Sequence, residues 1–192
     1  MDAFLWLTTL TLLPLVGGVA VVCFGAEKAR VARTLSLVFS FGALAVALLL
    51  WRLFDPGADG MQFGERVPWV PSLSIEYRLG VDGLGLLMVL LTAVLVPVSL
   101  LVTRPDMPRS PLYHALVLWL QAGLFGTFTA LNFFHWFLFW ELSLIPAFFL
   151  VKLWGGPERN RASLQFFVYT MVGSIALLLA FLAVFLATRQ FD

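Results

Sequence analysis

The 192-residue chain holds one cysteine, two histidines and few charges, with Asp, Glu, Lys and Arg making up 12% of it. A lone Cys23 can form neither an internal disulfide nor a cysteine-based metal site, and it reads as a small buried apolar residue. There is no glycine-rich phosphate loop, no GxGxxG and no cluster of Cys or His, so no carrier of electrons is visible in the chain. A net charge of +1 gives no reason to expect nucleic acid or an acidic partner. Scarce charge also excludes a water-soluble globule. With 61% hydrophobic residues and a mean hydropathy of +0.96, too little polar surface remains to cover a domain of this size. The chain belongs in a lipid bilayer.

What the sequence does have is apolar runs of about twenty residues, the length that crosses a hydrocarbon core of ~30 Å. Six are found, at residues 3–24, 31–54, 83–103, 112–131, 133–154 and 162–188. They predict an all-α polytopic membrane protein forming one membrane domain over residues 1–192. The first run opens with Asp2 and no Lys or Arg, so it lacks the basic start of a signal peptide and is kept as a membrane helix. The loops after the first, third and fifth runs hold Lys28, Arg30, Arg33, Arg104, Arg109, Lys152, Arg159 and Arg161. The opposite side holds Arg52, Arg66, Arg78 and Arg189. This bias predicts cytoplasmic odd-numbered loops and an N-terminus outside.

Residues 55–82 form the one sizeable loop. Within it Leu73, Ile75, Tyr77, Leu79 and Val81 alternate with Ser74, Glu76 and Arg78. A period of two predicts an amphipathic strand over residues 72–82, laid on the outer surface to tie helices together.

One carboxylate breaks the fifth run. Glu141 falls near the middle of 133–154, where a charge facing lipid costs at least ~2.5–3.5 kcal/mol. It is therefore expected to face other helices, either protonated because burial disfavours its charged form or paired with a cation or a file of water. Either state makes Glu141 a candidate for proton transfer. Pro146, lacking an N–H, removes the helix partner of the Leu142 carbonyl and is expected to kink the helix. Such a carbonyl is tolerated at membrane depth only in protein or a wet cavity, so Glu141 and Pro146 together point to a hydrated pocket. A kink beside a neutral Glu with no transport role is the plainer alternative. Lys152 lies three turns from Glu141 on the same face, ~16.5 Å away along the axis, too far to touch it. It is read as a snorkelling anchor beside Trp154, with a proton relay as the alternative. His135, at the outer end, is read as an interfacial histidine among aromatics.

The stretches "FWELSLIPAFFLVKLWGG", "QFFVYTMVGS" and "VDGLGLLMVLLT" closely resemble the antiporter-like membrane subunits of NADH:quinone oxidoreductase (respiratory complex I), the subunit M or chain 4 group. The resemblance covers the chain from its first helix to its last residue. It implies a proton-pumping subunit in which Glu141 works opposite a Lys on a seventh helix. The carboxylate stays ionised while the Lys leans toward it and takes a proton when the Lys moves away. It also implies about fourteen helices in two inverted repeats, so the chain reads as the N-terminal part of a longer subunit. Partners would be other membrane-arm subunits and the bilayer of a bacterial cytoplasmic membrane. NADH, FMN, Fe–S clusters and quinone would be held elsewhere in the complex, with no cofactor in this chain. Two departures stand out: Gln165 replaces a Lys common in the family, and Lys152 takes a place usually apolar or small. A subunit of an Mrp-type sodium/proton antiporter or of a membrane-bound hydrogenase is the alternative within this resemblance. A non-transporting membrane scaffold is the alternative outside it.

Overall fold

The computed structural model describes residues 5–25, 28–70, 75–104 and 107–188. Six helices follow one another: α1 Trp6–Gly25, α2 Ala29–Leu53, α3 Gly83–Val102, α4 Ser110–Thr129, α5 Phe133–Trp154 and α6 Arg159–Thr188. Between α2 and α3 lie two strands, β1 Gln62–Val70 and β2 Ile75–Val81. The fold is that of an all-α multi-pass membrane protein carrying one β-hairpin.

Local chemistry sets the helix starts. Asp82 opens α3 by accepting a 2.7 Å hydrogen bond from the Gly85 N–H, and Asn132 opens α5 by accepting from Phe134 and His135. Both side chains satisfy N–H groups that the first helical turn leaves without partners. The observed helices depart from the expected runs by a few residues, mostly where such caps or a loop proline set the boundary.

Five of the six helices are long and apolar enough to cross a membrane, and α4 is the exception. The packing explains why. α4 sits at the centre of the bundle against α1, α2, α3 and α5. Its His114, Gln121, Thr127 and Thr129 are buried in protein, so it needs less hydrophobicity than a helix facing lipid. Glycine lets α5 come close. A β-carbon at Gly123 would stand 2.9 Å from that of Ser143, and one at Gly126 would enter the Phe139 ring. Small residues at such contacts drive helix association where lipid supplies no hydrophobic force. α1 packs on α4 in the same way, with Gly18 under Trp119, whose indole N–H donates to the Leu15 carbonyl.

The expected single strand is instead half of an antiparallel hairpin, Val67 pairing with Tyr77 and Glu65 with Leu79. Residues 72–74 of the expected strand lie outside the described residues, as do residues 3 and 4 of the first run and Arg189. β2 turns Leu79 and Val81 into the core, and Asp82 belongs to the cap of α3. β1 escaped notice because its inward position is a carboxylate, Glu65, and because Gly64 and Pro68 weaken a strand pattern. Its Val67 and Trp69 are exposed.

The hairpin gathers one end of the bundle. Leu131 N–H donates to the Arg78 carbonyl at 2.9 Å, so β2 is tied to the α4–α5 turn. The buried Glu65 carboxylate accepts from the N–H groups of Leu7, at 2.6 Å, and Thr8, at 3.1 Å, and from the Thr8 hydroxyl. These N–H groups belong to the first turn of α1, which has no acidic residue of its own there. Glu65 thus caps α1 from 57 residues away, placing its charge at the positive end of the helix dipole. The Tyr77 hydroxyl lies 2.7 Å from that of Thr8. Burial, with Glu65 nearby adding to it, raises the Tyr77 phenol above its ordinary range, while the Thr8 contact opposes this.

Candidate proton-transfer site

α5 carries the one carboxylate found within a spanning helix, and three contacts fix how the helix presents it. The Asn132 cap sets where α5 starts, the Gly123 and Gly126 contacts hold its Phe139–Ser143 face on α4, and aromatic ring contacts hold another face on α6. Phe133 stacks on Phe181 with centroids 4.6 Å apart, and Phe148 meets Phe167 at 5.3 Å. Glu141 lies two turns before Phe148 and so shares its α6-directed face.

Glu141 is half-buried, and its Oε1 is enclosed with no hydrogen-bond partner among the described residues. An enclosed carboxyl oxygen without a partner is costly, on the order of 1–3 kcal/mol and more if charged. A cation, a water or another donor placed beside it would supply the missing bond. The enclosure of Oε1 agrees in part with the expectation that Glu141 faces other helices.

The surroundings of Pro146 differ from expectation. α5 is continuously helical through Pro146, which is buried. A cavity of about 760 Å³ does open there, between α1, α4 and α5, but its walls are mostly apolar, with Leu15, Leu116, Trp119, Leu142 and Pro146 in them and Lys152 the one charged side chain among the described residues. It is an apolar groove rather than a wet pocket, and Glu141 does not line it. A 3.6-residue period explains the separation: five positions put Pro146 about 140° around the helix from Glu141.

Lys152 is exposed, with its ammonium 5.2 Å from the centre of the Phe148 ring. Next to it, the Trp154 indole donates to the Pro108 carbonyl at 2.9 Å. A cation over a ring at a helix end is how a snorkelling Lys is held. His135 is buried in protein at the start of α5. It is 3% exposed, stacked on Phe139 at 4.7 Å and edge-on to Tyr77 at 4.8 Å, because the hairpin closes over the start of α5. The expectation of aromatic neighbours holds. Cys23, expected to be buried, is exposed on α1. A helix apolar on every side carries no periodic signal to say which face packs.

Several buried polar groups went unnoticed in the sequence. On α4, His114 is tied through Nδ1 to the Ser110 carbonyl at 2.7 Å, while its Nε2 has no partner among the described residues. Neither side-chain amide atom of Gln121, two turns further on, has a partner either, and the same is true of the hydroxyls of Ser40 and Ser174. The weaker hydropathy of the fourth run was the available signal for His114 and Gln121.

Comparison with known proteins shows which membrane subunits this bundle and hairpin are similar to. Residues 130–192 match the family described as "NADH:quinone oxidoreductase/Mrp antiporter, TM". Similarity to curated relatives extends over nearly all of it. It is 38% identical over 190 residues to NADH-quinone oxidoreductase subunit M of Rhodobacter capsulatus, covering 97% of this chain and 37% of that protein. It is 38% identical over 177 residues to F(420)H(2) dehydrogenase subunit M of Methanosarcina mazei, covering 92% of this chain and 35% of that one. Among solved structures, respiratory complex I from Thermus thermophilus with bound NADH contains a chain that superposes with a TM-score of 0.82 at 28% identity. The match covers 96% of this chain and 37% of that one. The chain thus spans about a third of the length of the relatives it matches.

Proposed function

We propose that the chain serves in the membrane arm of an NADH:quinone oxidoreductase, in a subunit that couples NADH oxidation and quinone reduction to proton translocation, with Glu141 carrying the proton. The observation that supports this most directly is the enclosed, unpartnered Oε1 of Glu141 on a spanning helix, in a chain similar to subunit M over most of its length. A carboxyl group in that setting changes charge whenever a cation approaches or recedes, which is how a moving Lys can load and unload it. On this reading the partners are the other membrane-arm subunits, the location is a bacterial cytoplasmic membrane, and NADH, FMN, Fe–S clusters and quinone are bound by other parts of the assembly. The basic loops between α1 and α2, α3 and α4, and α5 and α6 share one end of the bundle, which the positive-inside bias assigns to the cytoplasm. A second reading, a subunit of an Mrp-type antiporter, draws on the family description, which names both groups.

The test is proton pumping by the assembled complex in vesicles, normalised to the amount of complex. Glu141→Gln keeps size and hydrogen-bonding capacity but cannot ionise. Assembly should survive and pumping coupled to quinone reduction should fall sharply, whereas Glu141→Asp keeps part of it. Lys152→Ala should do much less. Full pumping by the Gln variant would overturn the assignment. Sodium-driven proton exchange without any quinone dependence would favour the Mrp reading.

A further inference from the structure

We propose that Ser174 is a positioning residue for Glu141: its hydroxyl and the Glu141 carboxyl hold one water between α5 and α6. This rests on the reading of Glu141 as the proton-transfer group.

The register of the two helices brings the residues together. α5 and α6 run antiparallel, with Phe133 on Phe181 at one end of their contact and Phe148 against Phe167 at the other. Ser174 is midway between Phe167 and Phe181, and Glu141 is midway, to within half a residue, between Phe133 and Phe148. The two are therefore level. Ser174 is two turns from each of its phenylalanines, on the contacting stripe of α6, while Glu141 is about 20° around α5 from Phe148 and about 80° from Phe133, at the Phe148 edge of that stripe.

Their polar atoms share one defect. Ser174 is 4% exposed, and its hydroxyl has no partner among the described residues. Hydroxyls in apolar helices ordinarily bond back to a carbonyl of the preceding turn. Thr170 does so to Phe166, Ser163 to Asn160 and, on α5, Ser143 to Trp140. Ser174 departs from its neighbours, and Glu141 Oε1 is enclosed at the same level and equally unpartnered. Two such groups level at one interface without a direct bond form a site for a bridging water, which satisfies both. That water would give Glu141 a polar contact on the α6 side, separate from any cation that approaches from another helix.

The experiment uses the assembled complex and infrared difference spectroscopy, reading the carbonyl stretch of the protonated carboxyl that disappears in Glu141→Gln. Ser174→Ala should shift that band to higher wavenumber and slow pumping about fivefold, the effect of one lost net hydrogen bond. Ser174→Thr keeps the hydroxyl and should restore both. An unmoved band in Ser174→Ala, or a Thr variant that behaves like Ala, overturns the pairing. The underlying reading fails in a different way. Full pumping by Glu141→Gln together with a shifted band in Ser174→Ala would remove proton transfer and keep the pair, while lost pumping with an unmoved band would do the reverse.

Discussion

Removing the Glu65 carboxylate should loosen the start of α1 while leaving the rest of the bundle closed. In Glu65→Ala, the N–H groups of Leu7 and Thr8 and the Thr8 hydroxyl lose their acceptor together. The Thr8 hydroxyl keeps Tyr77 as a neighbour, so the main loss is at the two backbone groups. Losing a helix cap costs ~1 kcal/mol, and losing a negative charge from the helix N-terminus adds up to about another. The sum of about 2 kcal/mol corresponds to a roughly thirtyfold larger opening equilibrium. Hydrogen exchange of the Leu7 and Thr8 amides, measured by mass spectrometry on the intact complex, should accelerate by about that factor, while amides in the middle of α4 stay unchanged. Glu65→Gln should fall between the two, because its amide offers one acceptor oxygen but turns N–H donors toward other donors. Unchanged exchange at Leu7 and Thr8 in Glu65→Ala would refute the idea that a distant strand caps this helix. Equal acceleration throughout the bundle would show that Glu65 holds the whole fold and not one helix end.

Gly126→Val should strongly reduce the amount of assembled complex in the membrane, because its side chain must occupy the Phe139 ring position; normal assembly would show that α4 and α5 can separate at little cost. Arg66 and Glu76 form a bidentate pair at 2.6 and 2.8 Å on the hairpin surface, and Arg66→Ala should leave thermal stability nearly unchanged because the pair is solvent-screened. The Arg66 hydrogen bonds hold the Glu76 carboxyl below its ordinary range of about 4.5, so the pair's small contribution is present above that value. It is lost as pH falls through the lowered one. In Arg66→Ala, the carboxyl titration followed by infrared spectroscopy should move upward, and an unmoved titration would refute the pairing. A cysteine at Glu76, in a Cys23→Ala background, should react with a membrane-impermeant maleimide from the outer face; reaction from the cytoplasmic face would invert the topology.

Composition and hydropathy were enough to make this a multi-pass helical membrane protein, because crossing lipid demands long apolar runs with their backbone bonds satisfied internally. Phe133–Trp154 was legible to the residue, bounded by the Asn132 cap and the turn at Gly155. Glu141 was legible as a candidate because a carboxylate in such a run has no cheap explanation, and β2 because it alternates. What faces what was decided only by the tertiary structure. Helices apolar on all sides give no periodic signal, so the exposure of Cys23, the burial of His135 and the central place of α4 could not be read from spacing. The cap that Glu65 provides for α1 joins residues 57 apart, and the levelling of Ser174 with Glu141 follows from ring contacts between two helices. Both depend on how segments meet in space, where the local sequence holds only half of each pair.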